Sequence, residues 1–280
     1  MCMQNEIKKD QEISDIFYRL GLFLLLLSCG ISIFVIPLVL LGIFQMIYII
    51  IMAMLFLIIT ALIHKTNKQE NYFFIFLAFS ISALIYSFML YWGPGDTIEN
   101  KVFSIFLTTL LVVIPIIFLT KITGKDLGSI YLKKGNLRLG LIIGLLTFSF
   151  FLITAIPVSI WIFGGRELSS DRLIYLTPWI LAFIFLNALR EELLFRAFFL
   201  KKYEELLGTD KSNLLQAMIF SLAHIYFPFN PFLPIYLVLT FLLGLAFGAV
   251  MQKTDSILAS ILFHAGADIP VILAVFSLLL

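Results

Sequence analysis

Charged residues are confined to short clusters, and between them the chain runs apolar over membrane-crossing lengths. From Leu20 to Ile63 no charged residue occurs, enough to cross a hydrocarbon core of about 30 Å twice, with Pro37 to Gly42 as the turning region. Further uncharged runs cover Tyr72–Trp92, Val102–Thr120, Leu139–Phe163, Ile174–Leu189, Asn213–Phe227, Ile235–Gln252 and Ser256–Ala267. The run from Ile174 and the last one continue as helix through a few ionisable residues. The alternation of apolar and polar positions that a barrel requires is absent, and open sheet edges do not face lipid, which argues against strands. The pattern therefore predicts an all-α fold, a polytopic transmembrane helical bundle of about 8–9 spans.

Composition agrees. Of 280 residues, 61% are hydrophobic and 13% charged, and the mean hydropathy is +1.08, so the expected solvent is lipid. A formal net charge of +2 is too small to argue for nucleic acid as a partner. The placement of charge says more. With a cytoplasmic N-terminus, 14 of the 19 Lys and Arg residues fall in inside segments and only 3 (Lys101, Arg166 and Arg172) in outside loops. That is the positive-inside distribution of a multi-pass protein of the cell membrane. The chain divides into a cytoplasmic tail over 1–19, transmembrane helices over 20–172, and a transmembrane core over 173–280. Neither cysteine, Cys2 or Cys29, suggests a disulfide framework or a thiolate metal site. Gly140-x-x-x-Gly144 and Gly244-x-x-x-Gly248 place small residues one turn apart, the pattern of close helix packing.

The last third carries side chains that lipid does not tolerate alone. A charge at the bilayer centre costs about 2.5–3.5 kcal/mol on insertion scales, so each must be paired, solvated or used. Arg190, Glu191, Glu192 and Arg196 lie on one span, His224 on the next, and His264 and Asp268 on the last. Measured along a helix from the charges bounding each span, Glu191 lies roughly 15 Å deep, His224 roughly 20 Å and His264 roughly 14 Å. Three helices thus bring polar groups to a similar depth. Glu192 and Arg196, four apart, read as an ion pair. Glu191 is rotated from Glu192 by about 100°, which leaves its carboxylate to face a cavity. Asp268, four residues after His264, either orients that imidazole or joins it at a ligand. Phe220 packs beside His224, and His64, next to Lys65 at a span boundary, is interfacial. Each of these has a bland alternative, a buried pair or a hydrogen-bonded core histidine; their convergence is what argues for a site.

Three segments carry a family resemblance. Glu191-Glu192-Leu193-Leu194-Phe195-Arg196 fits E-E-x-x-x-R, Phe220-Ser221-Leu222-Ala223-His224 fits F-x-x-x-H, and His264-Ala265-Gly266-Ala267-Asp268 fits H-x-x-x-(N/D). The set resembles the CPBP family, also called Abi, of type II CAAX prenyl proteases and bacteriocin-processing or self-immunity proteins, over roughly Pro178 to Leu280. The resemblance implies an intramembrane endopeptidase in which Glu191 activates water, His224 helps hold that water, and His264 with Asp268 stabilises the oxyanion. Glu192, Arg196 and Phe220 would be supporting residues. The family often has Asn at position 268, which donates a hydrogen bond to an oxyanion, whereas an ionised Asp268 repels one unless it is protonated or binds a cation. No cofactor is required on this scheme; the alternative is one divalent metal, such as zinc, on Glu191, His224, His264 and Asp268. The expected partners are membrane lipids and a membrane-associated peptide or protein. Two other functions fit the same residues: an ion- or proton-coupled transporter, and a non-catalytic immunity protein that binds a peptide.

Overall fold

A computed structural model describes residues 2–66, 70–91, 97–225 and 233–280, and every element in them is helical. Lys68, Trp92 and Phe227, the last two being the ends of predicted runs, lie outside the described residues. The helices are α1 (Cys2–Phe34), α2 (Ile43–Thr66), α3 (Glu70–Tyr91), α4 (Ile98–Ile122), α5 (Leu137–Trp161) and α6 (Ser170–Glu191). They continue with a π-helical stretch (Glu192–Leu200), α7 (Lys201–Leu207), α8 (Thr209–Ala223), α9 (Leu233–Thr254) and α10 (Ile257–Ser277). The Pro37–Gly42 turn lies where the sequence puts it, as a short 3₁₀ turn over Ile36–Val39 followed by Gly42 at φ +55°. Helix starts are capped by ordinary chemistry: Asn136 accepts from the Leu139 N–H at 3.1 Å and Thr97 from that of Asn100 at 3.3 Å.

Among the described residues eight helices are long and apolar enough to cross a membrane, so the chain is a multi-pass membrane protein. Helices α6 and α7 with the π-helical stretch form one continuous span, Ser170–Leu207. The run expected as a span from Asn213 differs. Helix α8 has only 15 residues, about 22 Å of rise, and stops at His224. It lies antiparallel to α9, held by Gln216 donating to the Gly244 carbonyl at 2.8 Å and Ser221 to that of Leu237 at 2.8 Å.

Loops that the charge count assigns to one side meet at one end of the bundle. Lys133 pairs with Asp255 at 2.5 Å, and Glu204 accepts from Tyr131 at 3.0 Å and Gln252 at 2.7 Å. Burial and the nearby Glu204 carboxylate hold the Tyr131 phenol above its usual pKa. At the other end, the Arg166 N–H donates to Ser277 at 2.8 Å and Tyr175 to Glu99 at 3.2 Å.

Helix α10 is the axis of the bundle: 72% of its span is buried, against 17% for α5, which lies beside it. Small residues permit that contact. A Cβ on Gly144 would sit 2.8 Å from the Leu262 Cβ, and one on Gly266 2.7 Å from the Phe148 Cα. The second small-residue pair works the same way between α8 and α9, where a Cβ on Gly244 would meet the Ala217 Cα at 3.2 Å. The polar residues of α6, α8 and α10 are thereby brought within side-chain reach of one another.

Candidate active site

The junction between α6 and the π-helical stretch falls between Glu191 and Glu192, and π-type bonding is rare enough that it frequently marks functional sites. Both carboxylates are buried. They face different neighbours. Glu192 accepts from the Nδ1 of His264 at 2.7 Å, pairs with Arg196 at 3.0 Å and accepts a hydrogen bond from the Ser260 hydroxyl. Arg196 is itself enclosed by rings, its guanidinium carbon 4.0 Å from the centroid of Phe220 and 5.1 Å from that of Phe247. The expected Glu192–Arg196 pair is present, and it also holds an imidazole.

Glu191 is less saturated. Its Oε1 accepts from Arg190 at 2.6 Å, while its Oε2 meets no hydrogen-bond donor among the described residues. That oxygen lies 3.6 Å from the Nε2 of His224 and 3.6 Å from the Nε2 of His264. A further 3.6 Å separates His264 Nε2 from Asp268 Oδ1. The four residues that the sequence singled out are therefore gathered around one point.

The tautomers follow from the partners. His224 caps the end of α8, and its Nδ1 lies 2.7 Å from the Phe220 carbonyl, which only accepts; Nδ1 therefore carries the proton and Nε2 is directed at Glu191. His264 obeys the same logic through Glu192. Phe220 packs on His224 with ring centroids 4.5 Å apart, as expected, and Phe247 stacks on His264 at 4.7 Å. Glu192, rather than Asp268, orients His264, because Glu192 takes Nδ1 while Asp268 lies on the Nε2 side.

Four further residues, all outside the three motifs, complete the network. Asn187 donates to Asp268 at 2.8 Å and accepts from Arg190 at 2.7 Å, and Arg190 also donates to Thr108 of α4 at 3.1 Å. Ser260 is the fourth. Asn187 and Ser260 each lie one helical turn before a site residue, a spacing that could have flagged them. Thr108 is distant in sequence and uncharged, and nothing local marks it.

Two cavities flank the cluster. The larger, about 200 Å³, is walled by α5 and α8–α10 and reaches His224, His264 and Asp268 through Phe151, Leu243 and other apolar side chains. The smaller, about 100 Å³, reaches Arg190, Glu191 and His224 from the side of α1, α3 and α4. As placed, no group of three or more His, Cys, Asp or Glu side chains among the described residues is arranged to hold a metal ion. Arg190 already supplies Glu191 with a positive charge.

Fold and cluster together define a class: a multi-pass helical membrane protein with an acid–imidazole centre buried within its bundle. Residues 173–270 match the family model described as type II CAAX prenyl endopeptidase Rce1-like. The resemblance drawn from the three motifs is thus borne out over that segment. No curated protein and no solved structure matches the chain.

Proposed function

We propose that the protein is an intramembrane endopeptidase that hydrolyses a peptide bond of a membrane-associated protein or peptide with water activated by Glu191. The observation that carries this is the unpartnered Glu191 Oε2 between two imidazole Nε2 atoms. A water there donates one hydrogen to Oε2 and the other to His224 Nε2. Glu191 takes a proton as the water oxygen attacks the carbonyl carbon, and the carbonyl oxygen becomes an oxyanion. A proton held on His264 Nε2 or on Asp268, 3.6 Å apart, donates to that oxyanion, which meets the objection to an acidic residue at 268. Collapse of the intermediate breaks the C–N bond and passes the proton on Glu191 to the leaving nitrogen, giving a carboxylic acid and an amine, which depart as carboxylate and ammonium. The match to type II CAAX prenyl endopeptidases over 173–270 supports the same class of reaction. We place the protein in the cell membrane with its N-terminus in the cytoplasm, on the strength of the positive-inside count.

The test is cleavage by full-length protein in detergent of membrane peptides with a C-terminal cysteine box, prenylated in one arm and unmodified in the other. Glu191→Ala should abolish cleavage, and a chelator should leave it intact. Activity unchanged in Glu191→Ala sinks the assignment. Activity lost to the chelator and restored by zinc replaces the water-only scheme with a metal-dependent one.

A further inference from the structure

The two cavities open on different members of the cluster. Glu191 lines only the smaller one, His264 and Asp268 only the larger, and the His224 ring forms part of both walls. The proposed general base thus faces one side of the site and the oxyanion donors the other. The larger cavity is the more apolar and is suited to a lipid-soluble peptide. The smaller gathers Ser82, Tyr86, Arg190, Glu191 and His224 around one space. Ser82 spends its proton on the Ala78 carbonyl at 2.8 Å, which leaves hydroxyl lone pairs as acceptors. At about 100 Å³ the space is large enough to hold several waters. A buried carboxylate oxygen without a protein donor is the kind of group that internal water satisfies.

We infer that the cavity between α1, α3, α4 and the π-helical stretch is a water chamber that feeds Glu191 from the side opposite to the substrate. The inference rests on the hydrolytic reading of Glu191 and deepens it. It also gives the N-terminal half a task, since Phe34, Ser82, Ile85, Tyr86 and Val112 of the chamber wall all lie outside the matched segment 173–270. Separate routes solve a problem peculiar to an intramembrane hydrolase, in which an apolar substrate and a polar co-reactant must reach one carbon atom. Water arriving behind the base does not have to pass a bound peptide.

The experiment fills the chamber. Val112→Phe, and as a gentler variant Ser82→Val, should lower kcat at least tenfold with KM within twofold of the parent, whereas Leu243→Phe in the larger cavity should raise KM. A plug that leaves kcat unchanged overturns the proposal. A plug that raises KM instead makes the chamber a side-chain subsite and also overturns it. Radiolytic hydroxyl labelling of the full-length protein reads the water without needing activity. Tyr86, 8% exposed, should be labelled at least fivefold more than the fully buried Tyr203, and that labelling should vanish in Val112→Phe. Equal, negligible labelling of both tyrosines refutes the chamber even if peptides are cleaved. Labelling of Tyr86 without cleavage of any peptide upholds the water-filled space and tells against the protease reading instead.

Discussion

The pocket around Glu192 and the pocket around Glu191 begin at adjacent residues of one continuous helix and contain the same chemistry of carboxylate, guanidinium and imidazole. Around Glu192 both carboxylate oxygens are engaged: Arg196 and His264 Nδ1 meet one and Ser260 the other, and aromatic rings close over the arginine. Around Glu191 one oxygen is satisfied by Arg190 and the other is left among acceptors, with a cavity beside it. A buried carboxylate with all its donors is a structural anchor. On the proposed mechanism the one held short of a donor takes the proton, and the surrounding bundle must supply the free energy that keeps it there.

The comparison is broken most directly by exchanging the two carboxylates' fates. Glu191→Gln should lower kcat by about 10³-fold, within the range a positioned general base supplies, while the melting temperature in detergent stays close to the parent's. Glu192→Ala should do the reverse in kind. It strands Arg196 in a ring-lined pocket and frees His264, a loss of about 3–5 kcal/mol of stability, visible as a large drop in melting temperature and folded yield. If Glu192→Ala folds normally and only activity falls, the division into anchor and base is wrong.

Position 268 gives the next largest effect. Asp268→Ala removes both the partner of Asn187 and the group across from His264 Nε2, and should cost about 10²-fold in kcat, the scale of a lost oxyanion donor. Asp268→Asn keeps a hydrogen-bonding group of nearly the same shape and should stay within about fivefold of the parent on the same scale. An asparagine variant as dead as the alanine one would mean that the carboxylate charge itself is used.

The sequence marked most of the charged residues of this arrangement and passed over Asn187, Thr108 and Ser260, for a physical reason. Charges in an apolar run are expensive, so Glu191, Glu192, Arg196, His224, His264 and Asp268 stand out by contrast alone. Helical spacing then paired Glu192 with Arg196 and Phe220 with His224. It could not say which imidazole nitrogen faces which carboxylate, because Asp268 and Glu192 both come within reach of His264 and only the rotation of α10 against the π-helical stretch decides between them. The same limit applies to α8. An apolar run from Asn213 reads as a span until His224 is seen to end the helix by capping its last turn. Thr108 was invisible because a threonine in an apolar helix commonly bonds its own backbone, as this one does to Ser104 and Ile105.

That last residue provides the smallest and most discriminating test. Thr108 accepts from Arg190, which in turn holds Glu191 and Asn187, so on the proposed mechanism it would act on the base at two removes as a positioning residue. Thr108→Val preserves volume and removes the acceptor. The loss of one charge-assisted hydrogen bond is worth about 1.5 kcal/mol at the low end, or roughly tenfold in rate if all of it reaches the transition state. Since Arg190 keeps its other partners, a loss of about threefold in kcat is expected, with KM unchanged and activity restored by Thr108→Ser. The matching change on the other side, Ser260→Ala, removes a hydrogen bond to Glu192 and should lower the melting temperature more than it lowers kcat. If both variants move stability and rate in the same proportion, the two pockets are one network, and the distinction between an anchored and a poised carboxylate gives way to a single shared charge cluster.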